Sequence, residues 1–365
     1  MTASQPPLDT ATSTERLAAA RAEFDAEVIY LNSATLGLPP RRSWDALQAA
    51  LDDWRAGTAD AMNYDPSLAA ARAAYARLVG VPASVVAAGS QVSAFVGLIA
   101  ANLPDRSEVL TATGDFTSIL FPFYAQARRG VNVHAVPLEA IADHVTQGTT
   151  LVSVSAVQSA DGRVADLDAL RAACAATATP ILLDVTQAAG WLPVDAGRYA
   201  YTVCAGYKWL LTMRGTAYFT VAPELMEGLI PHTAGWYAGA ERWSSIYGGP
   251  LRLAPDARRF DLSPAWHSWV AAGPAVGMLA DLGSDALHAH AVGLSDRFCA
   301  GIGVAPRASA IVSLAVDDEA VPALDAARIK ASVRAGRLRL SFHVSTSEQD
   351  VDHAVEVLRR HVLPD

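Results

Sequence analysis

"PILLDVTQAAGWLPVD" (residues 180–195) and, shortly after it, "VCAGYKWLL" (203–211) decide how this chain is read. The first opens on a near-continuous apolar run that stops at Asp184, and the second places Lys208 behind small and apolar residues. Lys208 is the only charge between Arg198 and Arg214. Uninterrupted apolar runs of this kind suit strands buried on both faces of a parallel sheet. In such sheets ligands bind beyond the carboxyl ends of the strands, where Asp184 and Lys208 stand. A lysine there is either paired or chemically used, because lysine is almost never buried otherwise.

The rest of the chain extends the pattern. Apolar β-rich runs at 84–89, 108–114, 131–137, 150–157 and 215–221 alternate with helical stretches at 91–103, 116–129 and 166–177. This predicts an α/β fold, with a mostly parallel sheet covered on both faces. Ahead of it, Thr14 is expected to cap a short helix over 15–24, and alanine-rich helices fill 41–56 and 67–79. Past about residue 255 a long helix (264–282), two strands and a terminal helix (347–361) read as a smaller α+β unit. The expected organisation is an N-terminal segment (1–40), a large α/β domain (41–255) and a C-terminal α+β domain (256–365).

Composition narrows the function classes. Of 365 residues, 52% are hydrophobic and 18% charged, as in a well-buried enzyme or oligomer and unlike a disordered chain. A net charge of −9, with no basic block, argues against nucleic acid as a partner. Three cysteines without a CxxC pair argue against a disulfide framework or a zinc site, so no metal is expected. The opening "MTASQPPLDTATSTER" lacks a signal peptide's basic and apolar regions, and no stretch is a transmembrane candidate. A cytoplasmic enzyme is expected, with no membrane partner.

A carboxylate needing a cation and an amine needing a lowered pKa are the two groups that pyridoxal 5'-phosphate requires of a protein. The amine anchors the cofactor, and the carboxylate keeps the pyridine nitrogen protonated. On its own Asp184 would equally suit a helix N-cap. "AAGSQVSAF" (87–95) places Ser90 and Gln91 between strand and helix, where backbone N–H groups would cradle a phosphate or merely begin a helix. Phe116 in "GDFTS" could stack on a planar ring or pack an ordinary core.

These residues resemble the class V aminotransferase-like family of fold type I pyridoxal-phosphate enzymes, from "YLNSATLG" to the last strand. The resemblance implies that Asp184 pairs with the pyridine nitrogen, Gln187 bonds the phenolic oxygen, Lys208 is the Schiff-base lysine and Tyr207 contacts the phosphate. It puts Phe116 at the stacking position, where relatives often have histidine. It makes Arg339, in "LRLSFHVSTSEQDVD", the receptor for the substrate carboxylate. Ser159 stands where relatives often carry asparagine near the substrate. Ser263, in "RRFDLSP", replaces the threonine that reaches the other subunit's phosphate, which implies a homodimer.

Within the family, residues 305–338 lack the loop cysteine of desulfurases. The stretches "AGWYAG", "SSIYGGPLRLAPDARRFDLSPAW" and "HSWVAAGPAVGMLADLG" resemble the ergothioneine-pathway C–S lyases. That resemblance implies β-elimination from an S-cysteinyl sulfoxide, hercynylcysteine sulfoxide, releasing pyruvate and ammonia. Trp236, Tyr237 and Trp266 would then wall a quaternary ammonium or, alternatively, pack a dimer interface. A kynureninase-like hydrolase, an aminotransferase, an epimerase and a lyase for another S-cysteinyl conjugate remain the alternatives.

Overall fold

Strands β2 (Val86–Gly89), β3 (Glu108–Ala112), β4 (Asn132–Val136), β5 (Leu151–Ser155), β6 (Ile181–Asp184), β7 (Tyr201–Ala205) and β8 (Ala217–Val221) form one sheet in the computed structural model, which describes residues 12–364. Their order is β2-β8-β7-β6-β5-β3-β4, with β8 antiparallel to both of its neighbours and every other pair parallel. Six of the seven strands are almost wholly buried, as their apolar runs require; only the edge strand β4 is largely open to solvent.

Helices cover both faces. On one, α3 (Asp65–Leu78) and α7 (Trp266–Leu282) pack on each other and join α6 (Leu167–Thr177) in a core with Tyr75, Trp191, Trp209 and Trp269. α2 (Arg41–Ala56) lies against α7 as well. On the other face, α4 (Val92–Asn102) and α5 (Thr117–Tyr124) bury Phe95, Ile99, Ile119 and Phe123 against Phe219 of β8. This is the α/β architecture, a mostly parallel sheet with helices on both faces, that the alternating pattern predicts.

A second sheet, β11 (Ser332–Arg334), β12 (Arg337–Ser341) and β9 (Ile311–Leu314), is antiparallel. Its core joins α8 (Ser284–Ile302), α9 (Ala320–Ala326) and α10 (Glu348–Leu358) through Phe298, Leu340, Phe342 and Val351. The N-terminal strand β1 (Ile29–Tyr30) pairs in parallel with β10 (Ile329–Lys330), and Leu31 accepts the backbone N–H of Ser341. Residues 29–37 thereby lie along the C-terminal sheet on their way to the central one.

Three sequence expectations are corrected. The first helix, α1, is Ser13–Arg21 and not 15–24, because a reciprocal capping box between Thr12 and Glu15 fixes its start and leaves Thr14 inside the first turn. The helix expected over 116–129 stops at Tyr124. Ala127–Arg129 forms a separate 3₁₀ turn, from which Arg129 donates to the carbonyls of Ala100, Ala101 and Leu103 and so closes α4. Helix α8 escaped the sequence reading, although Gly283 and Gly303, both at positive φ, bracket it. Residues 1–11, within the opening stretch expected to lack a signal peptide, lie outside the described residues.

Candidate active site

The carboxyl ends of β5, β6 and β7 align, since Ser155 pairs with Asp184 and Asp184 with Val203. Residues just beyond them, with the loops after β2 and β3, enclose a cavity of about 240 Å³. Ser90, Gln91, Phe116, Ser159, Asp184, Gln187, Tyr207 and Lys208 all line it, so the structure brings eight of the thirteen sequence-derived site residues into one place.

Asp184 is buried at the end of β6, and one carboxylate oxygen accepts the N–H of Thr186 at 2.8 Å. Burial pushes its pKa up to about 6, against the Thr186 hydrogen bonds; nearby Asp115 adds to the rise and Lys208 opposes it. A ring nitrogen that shares its proton would relieve this strain, because the carboxylate would gain a cation and a donor together.

Lys208 follows β7 in a turn held from two sides. The Gly37 N–H donates to the Tyr207 carbonyl at 2.8 Å, and His343 Nε2 donates to the Trp209 carbonyl at 2.8 Å. Gly37 must be glycine, since a Cβ there would stand 2.1 Å from the Lys208 carbonyl oxygen. The lysine is 5% exposed, and among the described residues no acid lies within ion-pair distance. Burial brings its pKa down to about 8, Asp184 partly restoring it and the guanidiniums of Arg339 and Arg334 depressing it further. Its Nζ lies 5.2 Å from the Phe116 ring centre.

Phe116 leaves 43% of its surface open, unusual for an ordinary core phenylalanine, and its N–H donates to buried Asp115 at 2.7 Å. Asp115 in turn accepts from the Ser155 backbone and hydroxyl and from Gln158. Helix α4 starts at Gln91 with no side-chain cap, so its first N–H groups remain available to an anion. Arg214, which also lines the cavity, sets its guanidinium 4.7 Å over the Tyr207 ring.

Arg339 reaches the same region from β12. It is 2% exposed, donates to the Ser159 carbonyl and hydroxyl and to Thr35 Oγ1 (2.7 Å), and leaves Nε unpartnered. Burial brings its pKa down to about 10, with Arg334 contributing. Gln187 has both amide hydrogens engaged, with Ser159 Oγ at 2.9 Å and the Ala34 carbonyl at 3.0 Å, while its oxygen accepts from Trp209 Nε1.

The three expected wall aromatics stand outside the cavity of this chain. Tyr237 is fully buried in its own chain, where its hydroxyl donates to Asp65, and Trp236 packs on Tyr237 and Trp243. Trp266 stacks on Tyr64 at 5.6 Å. None of the three lines the cavity of this chain, because the 3₁₀ turn at 236–238 and the start of α7 pack against α3 and its approach instead. Ser263 is exposed and also stands off the cavity. Sequence reasoning missed Asp115, Thr35, Arg214, Arg334 and His343. Of these, Asp115 carried a signal, as an acid directly before the stacking aromatic.

The cavity thus offers a phosphate cradle, an aromatic face, a buried acid for a ring nitrogen and a buried amine for an aldehyde, which together fit pyridoxal 5'-phosphate. Fold and site define a pyridoxal-phosphate-dependent enzyme. The chain belongs to the aminotransferase class-V family, whose model matches residues 29–332. It is 30% identical over 311 residues to a kynureninase of Deinococcus radiodurans, covering 80% of this chain and 75% of that one. It is 26% identical over 302 residues to isopenicillin N epimerase of Streptomyces clavuligerus, covering 75% and 74%. In fold it is similar to the cystine C–S lyase C-DES, at a TM-score of 0.82, 20% identity and 92% and 98% coverage. It is likewise similar to a cysteine desulfurase from Thermococcus onnurineus NA1, at 0.81, 17%, and 94% and 97%. Among the described residues no helix is long and apolar enough to cross a membrane, and no cluster of three potential ligands could hold a metal.

Proposed function

We propose that the protein is a carbon–sulfur lyase that eliminates the sulfur group from Cβ of an S-cysteinyl sulfoxide. The substrate is hercynylcysteine sulfoxide, and pyruvate and ammonia are released. The imidazole sulfenic acid that leaves is reduced by two equivalents of an external thiol, which end as a disulfide and release water, to give ergothioneine. One observation carries the reading: a buried guanidinium without an acid and a buried amine flank a cavity that no thiol enters, all three cysteines being buried elsewhere. Such a cavity can hold an amino acid by its carboxylate and move its Cα proton. It lacks the cysteine that would take up sulfur as a persulfide.

Bound pyridoxal phosphate supplies an electron sink that acidifies the Cα–H bond. Lys208 anchors it and then, as a neutral amine, takes the Cα proton. Asp184 keeps the ring nitrogen protonated. Ser90, Gln91 and the start of α4 would hold the phosphate together with Tyr207, and Phe116 would cover the ring. Gln187 turns to the phenolic oxygen by releasing one of its present acceptors. Arg339, with Ser159 beside it, holds the substrate α-carboxylate in a two-pronged contact. In a homodimer, exposed Ser263 would reach the partner's phosphate. Trp236 and Trp266 are the aromatics left to face a trimethylammonium across the interface, Tyr237 being enclosed. The domain boundaries at 40 and 255 belong to the same proposal.

A kynureninase-like hydrolase is the second reading, favoured by the identity to that relative. The test incubates purified enzyme with hercynylcysteine sulfoxide and a thiol, without a keto acid, and follows pyruvate and ammonia. A requirement for a keto acid, with a new amino acid formed, makes it an aminotransferase. Faster cleavage of kynurenine establishes the second reading.

A further inference from the structure

The β11–β12 hairpin, "SVRAGRLRL" (332–340), carries more positive charge than one carboxylate needs. Ser332 pairs with Arg339 and Arg334 with Arg337, so Arg334, Arg337 and Arg339 share one face of the ribbon. Like charges directly opposite on a ribbon are destabilising. Arg337 turns to Ser313. Arg334 instead donates to Thr35 Oγ1 at 3.3 Å, the same oxygen that Arg339 uses at 2.7 Å. Two guanidiniums are therefore held one hydroxyl apart, and among the described residues no acid lies within ion-pair distance of either. Both depress the pKa of Lys208, so both act electrostatically on the cavity. With Arg339 occupied by the α-carboxylate, the exposed guanidinium of Arg334 is left beside it, one hydroxyl away.

We propose that Arg334 forms a second anion-binding position beside Arg339, which takes a carboxylate carried by the leaving half of the substrate. This rests on the reading of Arg339 as the α-carboxylate receptor. It makes the substrate class a cysteine S-conjugate with a second carboxylate on its leaving half, and a conjugate without one becomes a poor ligand. Thr35 spaces the two guanidiniums and fixes the separation of the two carboxylates they accept.

The test uses holoenzyme and two probes, S-(2-carboxyethyl)-L-cysteine and its neutral counterpart S-(2-carbamoylethyl)-L-cysteine, with Kd read from the change in cofactor absorption on rapid mixing. The native enzyme is expected to bind the acid about tenfold more tightly than the amide, as one charge-assisted contact allows. R334Q brings the two within about twofold, the loss falling on the acid. R339Q weakens both probes. A native ratio near one overturns the proposal, as does R334Q weakening both probes by the same factor, which would make Arg334 only a support for Arg339. R339Q that leaves both unchanged removes the α-carboxylate reading, whereas absent pyruvate release counts against the lyase assignment alone. Arg334 is exposed on its hairpin, and the visible band of each variant reports an intact site.

Discussion

Lys208 carries a pKa near 8 because burial outweighs Asp184, and this sets a measurable threshold. Only the neutral amine attacks an aldehyde, so uptake of added pyridoxal phosphate by the apoprotein should accelerate as pH rises through about 8 and level off above it. An ordinary lysine would respond two pH units or so higher. Lys208→Ala should lose the visible band of the bound cofactor and all turnover; Asp184→Asn should keep cofactor binding and lose most turnover. His343 gives a second pH prediction. Buried and neutral, with a pKa lowered to about 4 by burial, it contributes stability above its unfolded value near 6.5 that is lost as pH falls toward 4. Neighbouring His290 adds to the lowering, while Asp184, with a raised pKa, contributes in the opposite direction between its ordinary value and about 6. The His343→Gln difference isolates the histidine. Denaturant midpoints of the variant should depend less on pH between 6.5 and 4, by up to about 3 kcal/mol relative to the native protein. Lys208, Asp184 and Arg339 were legible in the sequence because a polar residue at the edge of an apolar run, or in a recurring motif, stands out. Thr35 and His343 were not, since only contacts with chain far away in sequence define what they do.

At the scale of elements, the segment carrying Ser263 is fixed by a buried ion pair. Asp261 accepts two hydrogen bonds from Arg72 of α3, at 2.6 and 3.1 Å, and a third from the Ala88 N–H of β2. Both side chains are nearly solvent-free, so removing one strands the other as a buried charge. Asp261→Ala should cost about 3–5 kcal/mol in chemical denaturation, more than the loss of an exposed pair such as Arg77–Asp281. The sequence reading quoted "RRFDLSP" for Ser263 and did not find the Arg72 partner of its acid, since Arg72 lies nearly two hundred residues earlier. It found the central strands well because burial on both faces writes apolar runs. It missed α8 and the short strands β10 and β11, whose pattern is diluted by alanine, histidine and charge.

For the whole molecule, the homodimer proposed above has a candidate surface in the large apolar side chains left outside. Trp54 on α2 and Tyr247 and Leu251 in the loop after the 236–244 turns are mostly exposed, the tyrosine at 91%. Exposed apolar groups of this size mark interaction surfaces when they gather. Sedimentation should find a dimer at micromolar concentration. Tyr247→Asp with Leu251→Asp should shift it toward monomer and lower turnover, because a composite site would lose its other half. An active monomer would remove both the dimer and the composite site.

The turn that presents Lys208 is braced by Gly37 from one end of the chain and by His343 from the other. During synthesis the ribosome delivers residues 29–221, and with them every strand of the central sheet, long before residues 339–343 emerge. The amine therefore lacks its final setting, and Arg339 its place, until those residues emerge. Capture of the cofactor in working geometry has to wait for them, and a chain stalled before β12 would hold the strands of the central sheet with an unfinished catalytic centre.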